Sequence, residues 1–257
     1  MKIDLTGKRA LVLGASGGLG GAIARGLGQA GARVAVSSRS AAKLEEQFPD
    51  PAAYPKIVVD LAAPGAGQAV AQQVLGVFGG VDILVNNSGG PPPTTALAAT
   101  AEQWQAQFDA MVMSLVTLTG ALVPGMRERG WGRVITVASS GIVAPIPNLA
   151  LSNALRSALL GWSKTLATEV AGDGVTVNMI LPGRIATARV AALDRAASER
   201  TGKSMDEVEK AALAMIPAGR YGEPDEFGAA AVFLASPQAA YITGTTLRVD
   251  GGALKNV

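Results

Sequence analysis

The amino-acid sequence predicts an α/β fold built on one doubly wound parallel sheet of about seven strands, with helices on both faces. Three observations carry that expectation. A short apolar run, Arg9-Ala10-Leu11-Val12-Leu13, ends in four glycines between Gly14 and Gly20 and then opens into a helical pattern. That is the order of a buried strand, a tight turn and a helix N-terminus. Strand-like runs then alternate with helix-like stretches at regular spacing, which requires parallel pairing through right-handed crossovers. Finally, 257 residues with 49% hydrophobic and 16% charged side chains suit one domain with a large core.

The first strand is expected over residues 8–14 and its helix over 18–30, with Ile23 and Leu27 on one face and Gly31 ending it. A second strand covers 33–38 and a third 56–60, followed by a helix over 65–78 and a fourth strand over 81–87. Ser88-Gly89-Gly90-Pro91-Pro92-Pro93 fits neither a helix nor a central strand and must be a loop. A long helix over 101–129, with a break expected around Pro124, leads to a fifth strand over 132–138. A loop with Pro145 and Pro147 precedes another long helix over 151–171 and a sixth strand over 175–181, halted by Pro182-Gly183. Residues 184–216 form a longer excursion with two amphipathic stretches, one over 205–215. A helix over 224–235 starts with Pro at its first position, and a last strand over 246–250 is closed by Gly251-Gly252. No repeat or linker divides the chain, so a single domain over 1–257 is expected, with the excursion at 184–216 as a substrate lid.

Composition narrows the chemistry. The chain has no cysteine, which excludes disulfides, thiol catalysis and sulfur-ligated metals, and no histidine, the commonest general base. A net charge of +2 with no dense basic run argues against nucleic acid. No uninterrupted apolar run approaches the roughly 18–20 residues of a membrane span, and Met1-Lys2-Ile3-Asp4 leads straight into fold sequence without a secretory segment. The expectation is a cytoplasmic protein acting on a small-molecule substrate, with no membrane and no metal.

The glycine turn has rivals to its simplest reading. Glycines let the backbone approach a ligand closely, and the helix N-terminus offers free N–H groups to a phosphate. Gly14-Ala15-Ser16-Gly17-Gly18 also fits the G-x-S-x-G nucleophile elbow, but that site needs the histidine this chain lacks. A Walker-type loop needs Gly-Lys-Ser/Thr where Gly20-Gly21-Ala22 stands. Gly14, Gly18 and Gly20 in frame between strand and helix match the Rossmann-type dinucleotide-binding turn.

Taken with the landmarks that follow, the chain resembles the short-chain dehydrogenase/reductase family over nearly its whole length. Gly14-x-x-x-Gly18-x-Gly20 resembles that family's cofactor loop, with Leu13 where a threonine is usual. Asp60 stands where the family contacts adenine, and Asn86-Asn87-Ser88-Gly89 resembles its Asn-Asn-Ala-Gly signature. Pro182-Gly183 with Thr187 matches the segment that meets the nicotinamide carboxamide. Tyr241-Ile242-Thr243-Gly244 and Val249-Asp250-Gly251-Gly252 resemble the C-terminal landmark. The resemblance implies cofactor contacts from Gly14, Ser16, Gly18, Leu19, Gly20, Ser38, Arg39, Asp60, Leu61, Asn87, Gly89, Pro182, Gly183, Ile185 and Thr187. At the end of the second strand an acidic residue would select NAD(H), but here Ser38 is followed by Arg39. A carboxylate repels a 2′-phosphate and a guanidinium grips one, so NADP(H) is favoured over NAD(H).

The implied catalytic centre departs from the family's pattern. Ser139 matches the serine after strand five, but the positions of the tyrosine and lysine fall on Ser152 and Arg156, and the asparagine of the preceding helix falls on about Met111. The tyrosines Tyr54, Tyr221 and Tyr241 lie elsewhere in the sequence. An alkyl hydroxyl is a far poorer proton donor than a phenol, and arginine stays protonated, so the usual acid is missing. The leading reading is a divergent NADP(H)-dependent oxidoreductase that uses Ser139, Ser152 and Arg156 on a small carbonyl, hydroxyl or imine substrate. An imine already carries its proton, and a carboxylate-bearing substrate would suit Arg156. The alternatives are a redox-inactive NADP(H)-binding sensor or partner subunit and a non-redox lyase or isomerase. A further alternative makes Ser152 a helix cap and Arg156 a surface ion-pairing residue. Relatives of this kind form dimers or tetramers, and the small residues Ala154, Ser157, Ala158 and Gly161 would let helices pack closely, so a homo-oligomer is expected.

Overall fold

A computed structural model describes residues 2–256, so both ends of the expected domain lie one residue outside it. Seven strands form one parallel sheet: β1 (Arg9–Leu13), β2 (Arg33–Ser38), β3 (Lys56–Val58), β4 (Ile83–Asn86), β5 (Gly132–Val137), β6 (Val175–Pro182) and β7 (Thr246–Val249). Their spatial order is β3-β2-β1-β4-β5-β6-β7, so the chain reverses its direction of winding between β1 and β4. The expected doubly wound sheet is observed.

Alternation along the strands builds a core on each face. Leu11 and Leu13 of β1 pack on one side with α3 (Ala66–Phe78), α5 (Ser114–Glu128) and α6 (Ala150–Val170). Ala10 and Val12 pack on the other with α1 (Gly18–Gln29), α2 (Ala41–Gln47) and α9 (Pro224–Ala235). The helix α2 is not evident in the sequence. It is one short turn pair capped by Ser40, which accepts from the Lys43 N–H, and Leu44 is its only buried residue.

The long helix after the proline-rich loop breaks in a different place from the one expected. It runs as α4 (Ala101–Phe108), a π-helical segment at Asp109–Met113 and then α5, and Pro124 lies inside α5 without ending it. The wider turn brings Met111 and Val112 into the core, and the Ser114 hydroxyl donates to the Ala110 carbonyl across it at 2.7 Å. The run Ala101–Glu128 also has the length and mean hydropathy, 28 residues at 1.5, of a membrane-crossing helix. Composition alone gave no such candidate. Leu115, Leu118, Leu122 and Met126 nevertheless spend its apolar face on the sheet.

At the opposite edge from the glycine turn, Asp82 ties β1, β4 and the end of α5 together. Its carboxylate accepts from the Arg9 backbone N–H at 3.0 Å, from Arg9 Nε at 2.8 Å and Nη2 at 2.7 Å, and from Arg129 Nε at 3.1 Å. Burial alone would raise this carboxyl, but the Arg9 hydrogen bonds and the Arg9 and Arg129 charges outweigh it and hold it below the usual value. A lowered carboxylate stabilises the fold above its unfolded pKa and stops doing so as pH falls through its folded pKa. Replacing Asp82 by Asn is therefore expected to cost about 2 kcal/mol at pH 7, after discounting for the half-exposed arginines. Melting curves should show that gap closing as pH drops below about 4; a gap unchanged at pH 2 would contradict the ion pair as its cause.

Candidate active site

The reversal of winding between β1 and β4 opens a crevice at the carboxyl ends of the strands. The chain leaves β1 through Gly14 and enters α1 through Gly17 and Gly18, all at positive φ. A Cβ on Gly20 would lie 2.3 Å from the Gly14 carbonyl oxygen and 2.7 Å from Asn87 Nδ2, so only glycine fits there. A Cβ on Gly17 would meet nothing within 4 Å. No side chain caps α1 and no acidic residue stands in its first turn. Unused N–H groups beneath open space suit a pyrophosphate, and the turn fits a dinucleotide. Ser16 is half-buried beside this turn, and Leu19 packs down on the core.

The other expected cofactor residues ring the same edge. Ser38 is buried and shapes the turn after β2: its hydroxyl accepts from the Ser40 N–H at 3.1 Å and donates to the Ser40 carbonyl at 3.2 Å. Arg39 beside it is exposed, with no ion pair among the described residues. Asp60 is exposed and caps its own turn by accepting from the Ala62 N–H at 3.0 Å, and Leu61 packs on the core. Asn87 donates Nδ2 to the carbonyls of Leu13 at 3.2 Å and Gly14 at 3.4 Å, locking β4 to the exit of β1. Gly89 is exposed in the loop beyond. Pro182 ends β6, and Gly183 passes so close to β7 that a Cβ would sit 2.5 Å from Asp250 Cα. Thr187 caps α7 (Ala188–Thr201) and faces the glycine turn, its Cγ2 3.5 Å from a Cβ built on Gly18. Ile185 turns inward instead, 3% exposed and packed against Gly222.

Ser139, Ser152 and Arg156 come from β5 and α6. Ser139 follows β5, and its hydroxyl accepts from the Gly141 N–H at 3.1 Å, which leaves its own proton free to donate. Asn153 pins the start of α6 to the same loop through both amide atoms, accepting from the Ile146 N–H at 3.3 Å and donating to its carbonyl at 2.9 Å. Ser152 is therefore inside α6 and buried, and it does not cap the helix. Arg156 one turn later is 7% exposed and donates Nη1 to the Val137 carbonyl at 2.9 Å and Nη2 to the Ser88 carbonyl at 3.4 Å. The helix-cap and surface ion-pair alternative fails for both residues. Burial, with a smaller contribution from the Arg189 charge, pulls the Arg156 guanidinium down to about 10. It is still charged at neutral pH.

Other candidates are engaged elsewhere. Arg184, which stands close enough in sequence to meet a cofactor phosphate, pairs with the buried Asp194 and with the Tyr221 hydroxyl. Tyr221 in turn donates to Asp194 at 2.9 Å, Tyr54 stacks with Phe48 at 4.7 Å, and Tyr241 is fully exposed. Lys164 donates to the Gly244 carbonyl at 3.1 Å. A cavity of about 530 Å³ lies beside the centre, lined by Thr94, Trp104, Ile142, Ile146, Asn153 and Ser157. None of Ser139, Ser152 and Arg156 lines it. Two residues that sequence reasoning passed over are Asn153, which has no spacing signal, and Arg189, whose only signal is its place in the first turn after Thr187.

The comparisons with known proteins bear on this arrangement. The family model described as Enoyl-(Acyl carrier protein) reductase matches residues 14–253. The 3-oxoacyl-[acyl-carrier-protein] reductase FabG of Vibrio cholerae serotype O1 is 38% identical over 255 residues, 97% of this chain and 98% of the relative. The chain belongs to the short-chain dehydrogenase/reductase family. Among solved structures, the L-sorbose reductase of Gluconobacter frateurii, crystallised with NADPH and L-sorbose, superposes with a TM-score of 0.93 at 36% identity, covering all of both chains. Actinorhodin polyketide ketoreductase with NADPH superposes at 0.89 with 31% identity over 96% of this chain and 97% of that one. These matches make the protein an NAD(P)-dependent oxidoreductase.

Gly20→Ala tests the crevice. It is expected to abolish measurable dinucleotide binding and to destabilise the protein by about 2 kcal/mol through the backbone overlap. Calorimetric titration and a thermal melt check both, and unaltered binding would contradict the close approach to Asn87.

Proposed function

We propose that this short-chain dehydrogenase/reductase is a divergent, NADP(H)-dependent enzyme that moves hydride to or from a small carbonyl, hydroxyl or imine compound without a tyrosine acid. The observation that carries the reading is Arg156, a buried guanidinium bound to the carbonyls that end β5 and begin the loop after β4. It sits where the family's pattern has an ammonium, on the edge where the glycine turn opens. Gly14, Ser16, Gly18, Leu19 and Gly20 would hold the pyrophosphate end, with Asp60 and Leu61 at the adenine. Asn87, Gly89, Pro182, Gly183, Ile185 and Thr187 would hold the nicotinamide end. Ser38 and Arg39, which has no ion pair among the described residues, would take the 2′-phosphate, in keeping with the NADPH in the sorbose reductase and ketoreductase complexes.

The cofactor, when bound, supplies or takes the hydride. Ser139 orients the substrate oxygen with the proton it keeps free, and Ser152 passes a proton from water. Arg156 stabilises the developing oxyanion with fixed N–H donors and transfers no proton, because it stays charged. Residues 184–216 would act as the lid of a single domain over 1–257: α7 and α8 (Met205–Leu213) follow the carboxyl end of β6, and the Arg184–Asp194–Tyr221 cluster anchors α7. The exposed Ala154, Ser157, Ala158 and Gly161 on α6 support a homo-oligomer, acting in the cytoplasm.

One observation favours a second reading, a redox-inactive NADP(H) sensor: each tyrosine is committed or lies away from the centre. The double substitution Ser152→Tyr with Arg156→Lys separates the two. On neutral ketones the variant is expected to gain about 100-fold in kcat/KM, the usual worth of a positioned general acid. Native turnover of an NADPH-linked substrate supports the enzyme, and NADPH binding without oxidation by any carbonyl or imine supports the sensor. Arg39→Glu is expected to weaken NADPH binding about tenfold or more and to leave NADH within about twofold. Equal losses for both would contradict the 2′-phosphate contact.

A further inference from the structure

We propose that the reaction end of the cleft binds a substrate carboxylate between Arg156 and Arg189, making short-chain oxo and hydroxy acids the substrate class. The inference rests on the preceding reading that Ser139, Ser152 and Arg156 form the reacting centre. Arg156 gives two of its five N–H groups to backbone carbonyls, Val137 and Ser88. The remaining N–H groups have no acceptor among the described residues, and neither does the charge: no carboxylate lies within 4.0 Å.

Arg189 reaches the same loop from the lid side. It is exposed in the first turn of α7, and its Nη2 lies 3.5 Å from a Cβ built on Gly90, two residues from the carbonyl that Arg156 holds. It too lacks an acidic partner among the described residues. The two guanidiniums sense each other, since the Arg189 charge adds to burial in lowering Arg156. The Ser88 hydroxyl, on the residue whose carbonyl Arg156 holds, is buried without a hydrogen-bond partner among the described residues.

Three other buried or half-buried arginines, Arg9, Arg184 and Arg133, are compensated. Arg9 pairs with Asp82, and Arg184 with Asp194. Arg133, at the far end of the sheet, spreads its charge over the Trp131 ring at 4.4 Å and the carbonyls of Gly132, Gly174 and Ser236. Two like charges drawn to one three-residue loop are unfavourable until an anion joins them. A carboxylate can accept from two guanidinium forks at once. The hydroxyl or carbonyl that exchanges hydride then lies a few bonds from that carboxylate. The cofactor's own phosphates are the competing source of negative charge.

Isothermal titration of the full-length protein, with and without saturating NADP+, tests the assignment with pyruvate, acetoacetate and levulinate against their methyl esters. At least one acid is expected to bind about tenfold or more tightly than its ester. In Arg189→Gln that preference should fall to near parity, with the NADP+ dissociation constant within about twofold of the parent's. Arg156→Gln should lose the same acid preference, and if it fails to fold on melting, the exposed Arg189 variant decides alone. Acids that bind no better than esters, or no acid bound in either form, overturn the proposal. It is also overturned if Arg189→Gln weakens NADP+ about tenfold and leaves the acid preference intact, which assigns the arginine to a cofactor phosphate. Acid binding without dinucleotide binding keeps the anion site and removes the reductase reading; dinucleotide binding without acid binding does the reverse.

Discussion

The contact between the exits of β1 and β4 is the constraint on which the working edge depends. Asn87 donates to the carbonyls of Leu13 and Gly14, and a Cβ on Gly14 would itself lie 2.7 Å from the Asn87 carbonyl oxygen. The two chain segments touch because glycine has no side chain there. That closeness sets the direction in which α1 starts and leaves its first N–H groups facing the crevice. With α1 fixed, α9 packs on it and β2 presents Ser38 and Arg39 at the rim. A parallel sheet gathers all its carboxyl ends on one side, so residues from every βα turn converge on the space above Asn87.

On the far side of that space electrostatics dominate. Arg156 is a planar group that makes fixed hydrogen bonds and gives up no proton under ordinary conditions. Two of those bonds tie α6 to β5 and to the loop after β4, so the residue organises the wall of the site as well as charging it. A centre of this kind suits stabilising negative charge more than supplying acid.

Much of this was legible in the sequence, and the losses have physical causes. The strands and most helices were readable because each carries enough apolar residues to show its period. The helix α2 was not, since Leu44 is its one buried residue and a single contact has no period. Pro124 drew the expected break away from Asp109–Met113, where core packing of Met111 and Val112 widens the helix without any local signal. The glycine turn and Asn87 were legible because adjacent residues make them. The burial of Arg156 was not, because its acceptors Val137 and Ser88 lie far away in the sequence and come near only when β4, β5 and α6 assemble. The pairing of Arg184 was not legible either, because its partners Asp194 and Tyr221 lie well further along the chain.

The most direct test of the central claim is equilibrium titration of the purified protein with NADPH and NADH, followed by fluorescence. NADPH is expected to bind in the micromolar range and at least about tenfold more tightly than NADH, a difference of about 1.4 kcal/mol. Failure of both dinucleotides to bind at millimolar concentration would contradict it.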